Sequence, residues 1–327
     1  MEYKDPPFRI TDDILILTSS IAETVGRLSV AGKETPPLLL RRENRIRSIY
    51  SSLAIERNSL TLDQVTAVLE GKRVLGPPKD IKEVQNAYEI YDRLETLDPY
   101  SVDDLLSAHN IMTRDLVPES GMFRTRPVGV VDRSGNIIHF GTLPAQIPAL
   151  INGLLAWTRD SSLPILIKSC VFHYEFELIH PFSDGNGRVG RLWHSLLLSR
   201  WNRLFAWLPI ESIIHDRQEE YYRAFNESND AGESTAFIRF MLSAIEDALE
   251  ETLENDLLPG EREEHRWKRI RSFLLSHPNI RNSDIRSMFD VSAATANRIL
   301  SSFCASGMLR RIRDGKTWAY EIDTGEE

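Results

Sequence analysis

Twelve consecutive residues constrain this chain more than any other stretch: His180-Pro-Phe-Ser-Asp184-Gly-Asn-Gly-Arg188-Val-Gly-Arg191. Helical spacing of apolar residues leads into them from Leu163 to Leu178, and an apolar segment, Leu192 to Leu198, follows. Both flanks read as buried helices, so the run is the loop that joins them. Its composition suits one task. Gly185 and Gly187 let backbone N–H groups come close to an anion, and glycines that open a helix present free N–H groups and the positive end of the helix dipole. Arg188 and Arg191, three apart, project from the first turn on one side and can make forked bonds to phosphate oxygens. Asp184 is a hard oxygen ligand suited to Mg²⁺ bridging two phosphates. His180 can accept a proton from a hydroxyl near neutral pH. Phe182 is the apolar anchor of the loop.

At every fixed position the run resembles the signature of Fic-domain proteins, His-x-Phe-x-Asp/Glu-Gly-Asn-Gly-Arg-x-x-Arg, and the resemblance extends over roughly residues 40 to 245. Most such proteins move AMP from ATP to a protein hydroxyl, and Gly187 is similar to that majority; the kinase-like Doc branch carries lysine there. The resemblance implies His180 as general base and Asp184 as the Mg²⁺ ligand. It implies a phosphate site made of Gly185, Asn186, Gly187, Arg188, Val189, Gly190 and Arg191, with the two arginines on the β- and γ-phosphates. ATP is the implied substrate and pyrophosphate the leaving product.

Three further segments are similar to family features. Ser52-Leu-Ala-Ile-Glu56-Arg57-Asn58 resembles the inhibitory helix motif, Ser/Thr-x-x-x-Glu-Gly/Asn, except that Arg57 stands where glycine is usual. Glu56 brought against Arg191 would compete with the γ-phosphate for its guanidinium. Local pairing of Glu56 with Arg41, Arg42, Arg45, Arg47 or Arg57 is the alternative. Between Phe123 and Leu143, the run Val128-Gly129-Val130-Val131, the turn Asp132 to Gly135 and the run Asn136 to Phe140 read as a β-hairpin. The Fic counterpart is the flap, which docks a target segment by strand pairing. Tyr221, Tyr222 and Asn229 resemble residues that line the adenine pocket; the alternative is ordinary core and cap positions.

The remaining pattern is mainly α. Expected helices run from Asp12 or Asp13 to Val30, from about Leu38 through the Glu56 motif, from Thr61 to near Gly71, and over 82–97, 103–115 and 146–157. After the motif they run over 217–225 and 236–253. Pro259-Gly260 marks a boundary. Beyond it, between His265 and Glu321, 11 Lys/Arg stand against 4 Asp/Glu, although the whole chain of 327 residues carries −9. Three short helices, a corner at Val291-Ser292 and a hairpin turning at Arg313-Asp-Gly-Lys316 resemble a winged helix-turn-helix. That reading makes DNA a partner of 265–322, through Asn297, Arg298, Arg313 and Lys316; a protein-interaction or dimerisation module is the equal alternative.

The expected organisation is therefore N-terminal helices with the inhibitory helix over 1–100, a Fic core with its flap over 101–258 and a winged helix over 261–327. The negative balance excludes general nucleic-acid binding by the whole chain. Cys170 and Cys304 sit in apolar helical patterns, which favours reduced thiols and a cytoplasmic setting. No segment reaches the ~18 apolar residues of a membrane span, so no membrane partner is expected. The implied partners are a protein bearing a Ser, Thr or Tyr hydroxyl, the chain itself as a target, and a second copy in a homodimer. Three rival functions stay open: AMP removal using Glu56 to align water, a DNA-binding regulator that senses nucleotide, and a metal hydrolase using His173, His180 and Asp184. The last leaves the glycines and arginines unexplained.

Overall fold

A computed structural model describes residues 4–30, 32, 37–131, 137–256, 259–289, 291, 293–314 and 317–323. The chain divides into two compact units, Met1–Leu249 and Glu250–Glu327. No described helix is long and apolar enough to cross a membrane.

The first unit is built on α1 (Asp12–Val30), α2 (Leu38–Ile55), α3 (Leu62–Leu69), α4 (Pro78–Asp92), α5 (Val102–Thr113), β1 (Gly129–Val131), β2 (Ile137–Phe140), α6 (Ile147–Asp160), α7 (Ile165–Ile179), α8 (Asn186–Trp201), α9 (Ile210–Asp216) and α10 (Gln218–Ala231). Thr235–Asp256 forms α11, which runs across the division between the units. The centre is the pair α7 and α8. Eleven of the 15 residues of α7 and 12 of the 16 of α8 are buried, as befits helices covered on every side. Around them pack α2, α5 and α6. Phe172, Phe176, Phe182, Val189, Leu192 and Trp193 lie at the middle of the core, and full burial of each large apolar side chain contributes about 1.5–3 kcal/mol.

Local chemistry explains the helix starts. Thr61 caps α3 in a reciprocal box with Gln64. Helix α4 begins at Pro78, four residues before the expected Lys82, because proline at a first helical position lacks only an N–H that would be unpaired there. Helix α9 was not expected from the sequence; its seven residues are too few to show a period.

Helix α2 lies along α9, and the seam between them is polar as well as apolar. The buried carboxylate of Glu211 accepts hydrogen bonds from Ser48 Oγ (2.9 Å), Tyr91 Oη (2.9 Å) and Ser195 Oγ (3.2 Å). Ser51 and Ser212 add a hydroxyl pair at 3.3 Å. Burial raises the Glu211 pKa, and its hydroxyl donors work against that rise.

The β1–β2 hairpin is antiparallel, with Gly129 opposite Phe140 and an irregularity between Val130 and Val131. The expected turn, Asp132 to Gly135, and Asn136 lie outside the described residues.

The second unit holds α12 (Pro259–Ser276), α13 (Asn282–Phe289), α14 (Ala293–Ala305) and the antiparallel pair β3 (Leu309–Asp314) and β4 (Thr317–Ile322). Ile280 adds a bridge to Tyr320. Ile270, Ile285, Phe289, Leu300, Phe303 and Leu309 form its core. Pro259-Gly260, expected as a boundary, opens an 18-residue helix instead, whose crowded charges over 261–271 conceal its apolar spacing. Ser292 of the expected corner, and Gly315 and Lys316 of the expected turn, lie outside the described residues.

Candidate active site

The twelve-residue run begins where α7 stops. His180 caps α7 in the left-handed region, φ 51° and ψ 62°, while its N–H still donates to Phe176 O at 3.0 Å. A non-glycine residue there costs roughly 1–2 kcal/mol, so the surrounding loop must hold it. Phe182 is fully buried and stacks on His109, with ring centroids 3.7 Å apart and an interplanar angle of 2°. The Asn186 amide closes the loop from both ends: Phe182 N–H donates to its Oδ1 and its Nδ2 donates to Phe182 O, each at 2.9 Å. Gly185 turns the chain at φ 87°, and a Cβ there would come within 2.8 Å of Thr113 Cγ2.

Helix α8 therefore starts at Asn186, inside the run and not after Gly187; its first turn is closed by Val189 N–H to Gly185 O at 3.0 Å. The N–H groups of Asn186, Gly187 and Arg188 have no partner within the helix and form an anion-binding end. The Asn186 side chain is engaged within the loop, and its backbone N–H is the group it presents at the helix end.

His180 Nδ1 lies 3.3 Å from Glu177 O. A carbonyl only accepts, so Nδ1 carries the proton and Nε2 is the basic nitrogen.

The two arginines of the run go to different partners. Arg188 donates to Asp184 Oδ1 at 2.7 Å and to Glu83 Oε1 at 3.2 Å. Glu83 Oε2 in turn accepts from the Asn58 amide at 2.8 Å. Arg191, 2% exposed, donates through Nε to Ser52 Oγ (3.1 Å) and through Nη2 to Ser52 O (2.9 Å) and Glu56 Oε1 (2.8 Å). Burial works to lower the Arg191 pKa, but Glu56, Tyr221 and Glu177, with Glu56 foremost, together offset it and hold the guanidinium above its usual range. The Glu56 carboxylate also lies directly on Gly187, where an added Cβ would fall 2.2 Å from its Oε1. Glu56 thus pairs with Arg191. Of the arginines expected as local partners, Arg42 bonds Glu70, and Arg41 and Arg45 lie over Trp207.

Residues 99–198 match the Fic/DOC family. A solved Fic family protein from Desulfovibrio desulfuricans G20 superposes with a TM-score of 0.74 at 38% identity, covering 99% of each chain. The chain belongs to the Fic family. Curated relatives include a protein adenylyltransferase fic-1 from Caenorhabditis elegans, 29% identical over 224 residues, with 64% of this chain and 42% of that protein aligned. The protein adenylyltransferase Fic from Nematostella vectensis is also 29% identical, over 63% of this chain and 48% of its own length. This Fic chain thus spans less than half the length of those curated relatives. A solved Fic-1 segment from C. elegans has a TM-score of 0.59 at 23% identity and shares the fold.

Within this Fic site the sequence readings fare unevenly. Tyr221 is 4% exposed and shares a hydrogen bond with His173 Nε2 at 3.2 Å, so it belongs to the core beside the site and not to an open pocket wall. Tyr222 is exposed, and Asn229 follows it two turns later on the same face of α10. His173 is fully buried against Tyr221, and burial keeps it neutral. Among the described residues no three His, Cys, Asp or Glu side chains are placed to hold a metal ion, which removes the support for the hydrolase built on His173, His180 and Asp184.

The sequence concealed three contributors to the Fic site. His109 accepts from Gly121 N–H at its Nδ1 and so donates from Nε2 to Asp184 O, both at 3.0 Å. Burial pushes its pKa down to about 4, consistent with that neutral form. Glu83 steadies Arg188. Glu177, half-buried beside His180, is pushed up to about 8 by burial and by repulsion from Glu56, against the pull of Arg191. His109 and Glu83 are lone residues on amphipathic helices, with no local signal; Glu177 falls three residues before His180, which is the only hint.

Proposed function

We propose that this Fic protein transfers AMP from ATP to a Ser, Thr or Tyr hydroxyl of a protein and releases pyrophosphate, and that Glu56 holds it in an inhibited state. The observation that carries the reading is one loop that ends α7 at His180, with its basic Nε2, and opens α8 at Gly185 and Asn186. In the transfer, the hydroxyl proton moves to His180 Nε2. The hydroxyl oxygen bonds to the α-phosphorus, and the bond to the pyrophosphate oxygen breaks. The backbone N–H groups of Asn186, Gly187 and Arg188 hold phosphate oxygens, and Arg188 and Arg191 take the outer phosphates. The family chemistry also implies Mg²⁺. Mg²⁺ favours one or two carboxylates together with substrate phosphates, and Asp184, its side chain 44% exposed, fits as that carboxylate. The ion would neutralise phosphate charge there.

In this reading Glu56, with Ser52 behind it, occupies the guanidinium that the γ-phosphate needs. The β1–β2 hairpin serves as the flap, adding a strand of the target along its edge. The same exposed carboxylate on Gly187 favours one second reading, in which Glu56 aligns a water to remove AMP. For the second unit we propose a winged helix-turn-helix, supported by α12–α14, the β3–β4 hairpin and the Ile280 bridge. Exposed Asn297, Arg298 and Arg313 make a DNA duplex its proposed ligand.

The deciding experiment incubates the chain with ATP labelled at the α-phosphate, alone and with cell lysate. Label on protein that depends on His180 supports transfer; release of AMP from a modified protein with no labelling favours removal.

A further inference from the structure

We infer that Arg124 is a positioning residue for His180, fixing the backbone of that residue to both feet of the β1–β2 hairpin. This role rests on the AMP-transfer reading. Arg124 is 2% exposed and stands just before the hairpin. Its Nε donates to His180 O at 2.7 Å, its Nη1 to Arg126 O at 2.9 Å, and its Nη2 to Thr142 O and, at 3.4 Å, to Ile179 O. These carbonyls belong to three segments: the end of α7 with the catalytic loop, the chain entering the hairpin and the chain leaving it. Backbone bonds run alongside. Arg124 N–H donates to Pro181 O at 3.0 Å, Thr142 N–H to Ile179 O at 3.3 Å and Gly141 N–H to Val128 O at 3.1 Å.

The chemistry of the side chain matters here. A guanidinium carries five N–H donors in a rigid plane and stays charged, so it can span carbonyls that diverge; a lysine ammonium presents its donors from one point. Burial lowers the Arg124 pKa, yet an arginine remains protonated.

Gly141 gives an independent sign that this junction is tightly fitted. A Cβ at Gly141 would lie 2.7 Å from Arg124 Nη2, 3.1 Å from Val128 Cγ2 and 3.3 Å from His180 Cβ. Guanidinium, base and hairpin foot leave no room for one more carbon.

His180 sits in the left-handed region, where its carbonyl turns away from the helix ladder. Arg124 Nε captures that carbonyl. Without it the peptide at 180–181 can swing, and the imidazole moves with it. A misplacement of about 1 Å at a reacting group can cost ~10²-fold in rate. The same guanidinium holds the hairpin, so a docked target strand and the base that meets its hydroxyl share one frame.

The test compares Arg124→Lys, Arg124→Gln and Gly141→Ala in the Glu56→Gly background. That parent must first transfer AMP; if it does not, the functional reading fails whatever Arg124 does. With an active parent, kcat should fall ~10²-fold in all three variants while KM for ATP stays unchanged. Arg124→Lys, which keeps the charge, should stay folded at the assay temperature without recovering kcat. If Arg124 variants fail to fold, Gly141→Ala decides alone. Parental kcat in Gly141→Ala, or a kcat loss that follows a raised KM for ATP and a lowered melting temperature, overturns the role.

Discussion

Replacing Glu56 by glycine removes the carboxylate that, among the described residues, bonds Arg191, and clears the surface of Gly187. The bond is charge-assisted and 2.8 Å long, but its partners differ in exposure: the Arg191 side chain is 1% exposed and that of Glu56 is 36% exposed. Solvent at the glutamate end places the interaction at the low end for hydrogen bonds to charged groups, about 1.5 kcal/mol, or about tenfold in occupancy of the arginine by phosphate. Clearing the carboxylate from Gly187 adds to that figure, so a gain of roughly 10- to 100-fold is expected. Arg191 should not collapse into the gap, because its two bonds to Ser52 remain. The assay is transfer of α-labelled phosphate to the chain itself and to lysate proteins, with ATP affinity measured separately. ATP should bind the unaltered chain, with its α-phosphate poorly placed for attack. No gain in Glu56→Gly, together with AMP removal by the unaltered chain that the substitution abolishes, would refute inhibition and make Glu56 catalytic.

His180→Ala should reduce transfer by ~10²–10⁴-fold with ATP binding nearly intact; an equal rate would sink the general-base role. Arg57 sits at φ 68°, so Arg57→Gly relieves about 1–2 kcal/mol of strain against about 0.5–1 kcal/mol of added chain freedom. Urea unfolding should show a small net stabilisation, and a loss would mean that Arg57 makes a contact worth more than its strain. His109, held near a pKa of about 4 by burial, refuses a proton that the unfolded chain accepts below about pH 6.5. Its contribution is therefore complete above that pH and is lost as pH falls towards 4, by at most about 3 kcal/mol. The melting-temperature gap between the unaltered chain and His109→Gln should narrow from about pH 7 to about pH 4.5, and a constant gap would contradict the buried neutral imidazole. Duplex DNA binding by the full chain should fall steeply with salt and weaken in Arg298→Ala; absence of binding at low salt would leave the second unit as a protein-interaction module.

The twelve-residue loop was readable from sequence because its parts are contiguous: glycines, arginines, the histidine and the anchoring phenylalanine all fall within it. Glu56 was readable only through resemblance, since its partner lies 135 residues away. Arg57 is instructive. It occupies the left-handed position of a helix end closed by Arg57 N–H to Ala54 O and Asn58 N–H to Leu53 O. That geometry explains why glycine is usual there and why arginine can still fill it at modest cost. Arg124, His109 and Glu83 escaped notice for another reason. Each acts through long-range contacts to the loop, spanning 56, 75 and 105 residues at His180, Asp184 and Arg188, and nothing in its own neighbourhood sets it apart. Only the end of α12, near Phe273 to Leu275, was legible as a short helix; its charged first part was missed because the polar residues crowd out the apolar spacing.

The seam between α2 and α9 bears on how such a protein could be turned on. A carboxylate buried among three hydroxyls, with Ile49 and Leu53 beside it in the core, makes α2 an integral wall of the fold. Peeling the helix away would take the Ser48 hydroxyl from Glu211 and open the core. Rotating the half-exposed Glu56 side chain breaks one bond, and rotamer changes of exposed side chains take picoseconds to nanoseconds. In the proposed inhibited state Glu56 is thus a bolt within a fixed wall and not a detachable plug. On that proposal an activator needs only to bias a rotamer, so a small ligand, a docked strand or a neighbouring charge suffices, and the fold around it can stay closed.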